Sequence, residues 1–322
     1  MRDFMNTYVL MTVLCVLILC SLFIGVSSVP ISAIFRFNEY QLHILWSSRI
    51  PRTVSILIAG SALAIAGLIM QQMMQNKFVS PTTAGTMEWA KLGILIALIF
   101  FPSQHILLKL LFAVLCSLFG TFLFVQIVQR IRFKDVIFVP LMGIMVGGIV
   151  SSLATFIALQ TNAVQSIGNW LNGNFAIITN GRYEILYLSI PLLILTYVFA
   201  NQFTIAGMGK DFSQNLGLNY EVIINLGLLI TATMTALVVV TVGTLPFLGL
   251  IVPNIVSIFR GDHLKHALPH TALLGAIFVM IADILGRLIV APYEINIGLT
   301  MGVFGTAIFM VMLIRGRRYD AQ

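Results

Sequence analysis

The chain has 322 residues, 59% of them hydrophobic and only 9% charged, with a formal net charge of +7. Soluble domains carry about 25% charged residues, so this composition excludes a water-soluble fold and predicts an all-helical polytopic membrane protein. The basic excess is spread over many short loops, which is the pattern of membrane topology rather than of a nucleic-acid-binding face, and no nucleic acid is expected as a partner.

The first apolar run covers 7–27. Only Arg2 precedes its flank, and no small-residue cleavage pattern follows, so an uncleaved span is expected rather than a signal peptide. The second run organises the rest. Arg49 to Gly85 reads RIPRTVSILIAGSALAIAGLIMQQMMQNKFVSPTTAG, with no charge from Thr53 to Met70. Roughly 20 apolar residues span a bilayer core as a helix. Gly60, Ser61, Ala62, Ala64, Ala66 and Gly67 are small, and small residues let helix backbones approach closely in lipid. A helix packed among others is expected, with arginines at one mouth and Gln71, Gln72, Gln75, Asn76 and Lys77 at the other. A lipid-facing anchor is the alternative.

Further apolar runs cover 84–101, 106–128, 136–158, 183–200, 222–243, 245–260, 269–291 and 295–314, which makes ten spans. The eighth is short and holds Pro246 and Pro253, so a broken or re-entrant segment is expected there. With both termini in the cytoplasm, the inner segments hold Arg2, Lys77, Arg130, Arg132, Lys134, Lys210, Arg260, Lys265, Arg315, Arg317 and Arg318. The outer edges then hold Arg36, Arg49, Arg52, Lys109, Arg182 and Arg287. The bias favours that orientation and leaves Arg49, Arg52 and Arg287 on the wrong side, as though something outside wants positive charge. Two hydrophilic loops stand out. Residues 159–184 are outside and nearly uncharged. Residues 200–221 are inside, with Gly207, Gly209 and Gly217, and are expected to form two short helices split at Gly217 or a passive linker.

No phosphate-binding loop, HExxH motif, carboxylate-rich metal site or nucleophile elbow is present, so no catalytic or metal-ligating residue is assigned. Cys15, Cys20 and Cys116 lie in apolar runs without metal-ligand spacing. His263, His266 and His270 share a helical spacing beside Asp262; a surface turn is favoured over a metal site. Glu88 and Lys91 are three apart, and Asp283 and Arg287 four apart, so each pair shares a helix face. Ionisable groups within spans are functional candidates. Neutralisation is the favoured reading for Glu88–Lys91, and function for Arg287.

Four segments together resemble the FecCD type of permease, the membrane subunits of bacterial ABC importers for ferric siderophores, haem and vitamin B12. They are RIPR at 49–52 with its Gly/Ala-rich helix and turn, GKDFSQNLGL at 209–218, GTLPFLGLIVPNIVSIFRGDH at 243–263, and LPHTALLGAIFVMIADILGRLIVAPYEINIG at 268–298. The resemblance covers almost the whole chain. It implies one transmembrane domain over 1–322, a type II ABC importer permease fold with ten spans, and both termini in the cytoplasm of a bacterial cell membrane. It implies that Arg49, Arg52 and Arg287 meet acidic residues on an extracytoplasmic substrate-binding protein. It also implies a cytoplasmic coupling helix against an ATPase subunit, carried by Gly209, Lys210, Asp211, Phe212, Asn215, Leu216, Gly217 and Leu218. A second permease completes the assembly. ATP is hydrolysed on the separate subunit, so the chain is not an enzyme and no cofactor is expected in it.

The chain departs from the common family wording. The polar turn reads NKFVSPTTAGTMEWAKLG at 76–93 in place of an Asn-Pro-Leu-Ala turn. Pro253-Asn254 stands for Pro-His, and Gly305 stands where a proline is common. The first variant resembles a subset associated with catecholate siderophores, including petrobactin-type systems, which implies a ferric catecholate as cargo. Haem and vitamin B12 are the competing cargoes. An ion-coupled secondary transporter is a rival of another class. It needs carboxylates at the midplane, and Glu88 and Asp283 are expected near span ends. A membrane-embedded enzyme needs clustered acidic or metal-binding residues at one face, and none is found.

Overall fold

A computed structural model describes residues 6–25, 38–101, 106–130, 137–181 and 183–319. Arg2, Pro30, Arg36, Pro102, His105, Arg132, Lys134 and Arg182 lie outside the described residues, as do the side chains of Arg315, Arg317 and Arg318. The helices are α1 (Thr7–Phe23), α2 (Glu39–Ile44), α3 (Ile50–Met73), α4 (Thr86–Phe100), α5 (Ile106–Arg130), α6 (Phe138–Gln160), α7 (Val164–Leu171), α8 (Ser189–Val198), α9 (Ala200–Ala206), α10 (Lys210–Asn215), α11 (Tyr220–Thr241), α12 (Leu248–Arg260), α13 (Leu264–Leu288) and α14 (Ile297–Tyr319). Each of the ten apolar runs is helical, and among the described residues there is no strand. Among the described residues, five helical stretches are long and apolar enough to cross a membrane unaided, and a sixth is the bent pair Tyr183–Val198 and Ala200–Ala206, which turns by 63°.

α3 sits at the centre. It packs against α13, α11 and α12 and is buried along most of its length. The lipid-facing alternative is therefore set aside. The small residues explain the position. A Cβ on Gly67 would lie 1.9 Å from the Gly249 carbonyl oxygen, and one on Gly60 would lie 2.8 Å from that of Gly275. Backbones cross at these two points, which gives the van der Waals contact that holds helices together when lipid removes the hydrophobic drive. Pro51 sits in the first turn of α3, and Ser55 Oγ donates to its carbonyl at 2.7 Å.

α4 and α12 have 15 and 13 residues, about 22 and 20 Å of helix, too little to cross alone. Irregular chain completes both. Residues 76–85 fold back beside α6 and α12, with Val79, Ser80 and Ala84 fully buried, so α4 starts well inside the molecule. Residues 242–247 enter at depth from the other side, where Asn174 N–H donates to the Val242 carbonyl at 2.9 Å. Irregular backbone at such depth persists only where protein surrounds it. The expected break in the eighth run is thus a non-helical entry followed by α12, whose internal Pro253 leaves the Gly249 carbonyl to abut Gly67.

Two elements were not expected. Residues 39–49 form α2 and one π-helical turn, continuous with α3. The amphipathic α7 lies within the polar loop 159–184. In loop 200–221 the two short helices are α9 and α10, and the break falls at Gly207–Gly209 rather than at Gly217. Gly209, at φ +109°, makes the turn, and Gly217, at φ +76°, ends α10.

Candidate functional site

The two ends of α3 hold the two groups of residues singled out in the sequence. At its start, Arg52 Nε and Nη2 donate to Asp283 Oδ1 at 3.2 and 2.8 Å, and Nη1 donates to Glu294 Oε2 at 2.7 Å. Arg287, one turn beyond Asp283 on α13, places Nη2 2.6 Å from Asp283 Oδ2. Its Nη1 donates to the carbonyls of Ser21 and Ile24 at 2.9 and 2.7 Å, and Nη2 to Ser21 Oγ at 2.7 Å. Arg49 donates to the same Ile24 carbonyl. The three arginines thus converge, although 238 positions of sequence (287 minus 49) separate the outer two. They tie the ends of α1, α3 and α13 together.

None of them is a surface charge. Arg49 and Arg52 are 6% exposed, and Arg287 and Asp283 are 4% exposed. The sequence suggested arginines open to the outside. Instead the two carboxylates and the open carbonyls at the end of α1 enclose them. Glu294 is the accessible member, in the loop between α13 and α14 beside exposed Tyr293. A recess of about 450 Å³ adjoins it, lined by Asn172, Gly173, Thr244, Glu294 and Asn296 among others.

At the far end, about 35 Å along α3, stands loop 200–221. α10 exposes Lys210, Asp211, Phe212, Asn215 and Leu216, with Phe212 at 48% and Leu216 at 59% exposure. Gly217 is exposed, while Gly209 and Leu218 are half-buried. The opposite side is fastened down. Buried Ser213 donates to the carbonyls of Ile205 and Gly209 at 3.0 and 2.7 Å. Gln75 Nε2, at the end of α3, donates to the Gly207 carbonyl at 3.0 Å. Leu264 N–H donates to Thr204 Oγ1 at 3.1 Å. Beside this corner, Lys77 pairs with Asp262 and donates to Ser257 Oγ at 2.8 Å, while Asn254 Nδ2 donates to the Lys77 carbonyl at 2.7 Å. Burial opposes ionisation of Asp262, but its hydrogen bonds from Lys77 and Ser257 outweigh that and hold its carboxyl below the ordinary value.

The remaining candidates fall apart or pair off. His263 and His266 stack with ring centres 4.9 Å apart, whereas His270 is buried, its Nδ1 donating to the His266 carbonyl at 2.9 Å and its Nε2 sharing a hydrogen bond with Thr7 Oγ1 at 3.2 Å. No cluster of metal-ligating residues occurs among the described residues. Glu88 and Lys91 pair at 2.7 Å.

A bundle built on one buried, glycine-crossed helix, with irregular entries at depth, has a counterpart among known proteins. The model of the FecCD transport family matches residues 13–315. The chain belongs to that family. A FecCD relative, the petrobactin import system permease protein YclN of Bacillus subtilis (strain 168), is 55% identical over 96% of this chain and 98% of its own length. The ferric-anguibactin transport system permease protein FatD of Vibrio anguillarum is 39% identical over 92% of this chain and 95% of its own. A solved structure of a metal-chelate type ABC transporter in an inward-facing conformation superposes with a TM-score of 0.82, at 22% identity, covering 96% of this chain and 98% of that one. At that identity the likeness shows the fold, that of a type II ABC importer permease. The FecCD assignment makes the chain a transport subunit and not an enzyme.

Sequence reasoning missed the counter-charges. Glu294 was not singled out, and Asp283 was read only as the helical neighbour of Arg287. Ser21 and the Ile24 carbonyl carry no signal that sequence can show, because their role depends on where α1 ends.

Proposed function

We propose that this FecCD-family chain is the permease subunit of an ABC importer that carries a ferric siderophore of the catecholate class across the cell membrane. The observation that carries the reading is the 55% identity, over nearly the full length of both chains, to a petrobactin import permease. In this reading the chain performs no covalent chemistry. A second permease, a pair of ATPase subunits and an extracytoplasmic binding protein complete the machine, ATP is used on the ATPase subunits, and both termini of the chain are cytoplasmic.

The arginine end is the docking point for the binding protein. Arg49, Arg52 and Arg287 outnumber Asp283 and Glu294 within their cluster, and Glu294 alone of the five is reachable from solvent in part. An acidic side chain of the docked protein displaces Glu294 from Arg52 rather than meeting a bare arginine. Such charge complementarity fixes register and speeds encounter more than it adds affinity. The opposite end is the coupling surface. Residues Gly209 to Leu218 offer Phe212 and Leu216 to a groove on the ATPase, and the bonds through Ser213, Gln75 and Thr204 pass its movement to α3 and α13 as a rigid lever.

The test is uptake of radio-iron, supplied as ferric petrobactin, in cells lacking this chain and in complemented cells, with ATPase and binding protein present in both. Uptake lost and then restored is expected. Normal uptake in the deletion strain overturns the substrate assignment.

A further inference from the structure

The pair Glu88–Lys91 sits halfway through the molecule. Because residues 76–85 fold back, α4 begins at depth, and Glu88 packs its Cγ against Gly147 of α6. Gly147 is nine residues into α6, about 14 Å along a helix of about 34 Å. Glu88 thus stands in the first turn of α4, at the start of its span as expected, but that start lies inside the molecule. The two charges lie on one helix at positions three apart, so their bond ties α4 to nothing else, yet their removal from water carries a cost. Their side chains are 25% and 20% exposed. Glu88 Oε2 is buried without a hydrogen-bond partner. Both residues line a cavity of about 100 Å³ with Ser151, Ala154, Thr155 and Ala158 of α6 and Val164 and Ile167 of α7, space enough for water, and it extends from Glu88 toward the C-terminal end of α6. α6 itself is only 22% buried along its apolar window. Charged groups at this depth face a protein interior or a water-filled cavity, and they mark substrate paths.

We propose that Glu88, Lys91, Ser151 and Thr155 form a polar contact for cargo on the wall of a water-filled pathway, between the middle of α6 and its C-terminal end, a reading that rests on the importer function above. The cargo it takes is an anionic, oxygen-rich chelate. Lys91 donates to the chelate oxygens, the hydroxyls of Ser151 and Thr155 supply further polar contact, and Glu88 holds the ammonium in place. Alanines at 154 and 158 leave the space open between them.

The experiment uses the complex assembled with its ATPase and binding protein, with Cys15, Cys20 and Cys116 replaced by serine. Ser151→Cys and Thr155→Cys are each treated with a charged, membrane-impermeant thiosulfonate and with a lipid-soluble maleimide. Reaction with the charged reagent is expected at both sites. Reaction with the lipid-soluble reagent alone places this face in lipid and overturns the proposal whatever the cargo. In the same complex Lys91→Met is expected to lower ferric petrobactin uptake roughly tenfold, the scale of one lost charged hydrogen bond, with binding-protein-stimulated ATPase activity retained and Lys91→Arg near wild type. Unchanged uptake in Lys91→Met overturns the cargo contact. Absence of uptake by the wild-type complex overturns the substrate reading instead, and the labelling pattern still decides whether the site is wet.

Discussion

Arg52 and Asp283 stand 231 positions apart in sequence and share two hydrogen bonds, at 3.2 and 2.8 Å, in a site almost closed to solvent. The contact joins the start of the central helix α3 to the end of α13. Asp283 also faces Arg287, so one carboxylate serves two guanidiniums.

Replacing Asp283 by Asn keeps the shape and removes the charge. Arg52 retains Glu294, but Arg287 keeps only neutral acceptors. Breaking a buried pair on one side costs roughly 3–5 kcal/mol. The purified permease is expected to melt clearly earlier in detergent, read by a thermal shift assay. A melting curve unchanged from wild type would mean that the cluster holds nothing together.

Glu294→Gln makes the opposite case. Its carboxylate covers Arg52 from the accessible side, so neutralising it frees part of the arginine field without disturbing Asp283. The binding protein is expected to associate faster and to bind a few-fold more tightly, measured by surface plasmon resonance on permease in nanodiscs. The gain should shrink as salt rises, because such fields are screened within about 10 Å at 0.1 M. Weaker binding would assign Glu294 to the partner's contacts rather than to a cover.

Much of this architecture is legible in the chain itself. Every apolar run became a helix, and the Gly/Ala content of 53–70 marked α3 as the packed centre before any contact was known. The wrong-side arginines gathered as a cluster. What stayed hidden depends on three-dimensional closure. That Asp283 and Glu294 neutralise those arginines follows from the α13–α14 loop returning to α3. That Glu88 is deep follows from residues 76–85 folding inward, which hydropathy cannot distinguish from a surface turn. The split of loop 200–221 differs from the expected one because Gly209 and Gly217 look alike in sequence and both take a positive φ, one just before α10 and one just after it.

Gly67→Val tests the central crossing. A Cβ there would lie within 2.5 Å of three backbone atoms of Gly249, and backbone has no rotamer by which to yield. Overpacking of this kind costs roughly 1–3 kcal/mol, and more where neither helix can shift. Reduced thermal stability and reduced yield of folded protein are expected, with a milder loss in Gly249→Val, whose Cβ would meet the Leu63 carbonyl oxygen at 3.0 Å and Gly67 Cα at 3.2 Å. The double variant should not be additive, because the two substitutions disturb one contact.

Asp262 gives a pH-dependent prediction. Its carboxyl is held below the ordinary value, so the folded state binds its proton less readily than the unfolded chain does. The stabilisation from Lys77 and Ser257 is therefore complete above the unfolded value of about 3.9 and is lost only as pH falls through the lower folded value. Hydrogen exchange at the α12–α13 corner is expected to show equal protection at pH 7 and about pH 5, and to lose it on further acidification. Asp262→Asn should expose the corner at every pH. Loss of protection already near pH 5 would mean that another group controls this corner.

The proposed coupling surface can be separated from the fold by choosing side chains that support only the former. Phe212 and Leu216 are both exposed and project from a helix whose other side is fixed by Ser213. Phe212→Ala combined with Leu216→Ala removes apolar area from the offered face and leaves the bonds to Ile205, Gly209 and Gln75 intact. The permease itself is expected to melt as wild type. In the complex reconstituted in liposomes, ATP hydrolysis should lose its response to the cargo-loaded binding protein, and iron uptake should fall roughly tenfold or more, the scale expected when two buried apolar anchors are truncated. Ser213→Ala should fail differently, loosening α10 on α9 and lowering thermal stability together with uptake. Normal coupling in the double variant would reduce loop 200–221 to a connector, and the contact with the ATPase would have to be sought elsewhere at this end of the molecule.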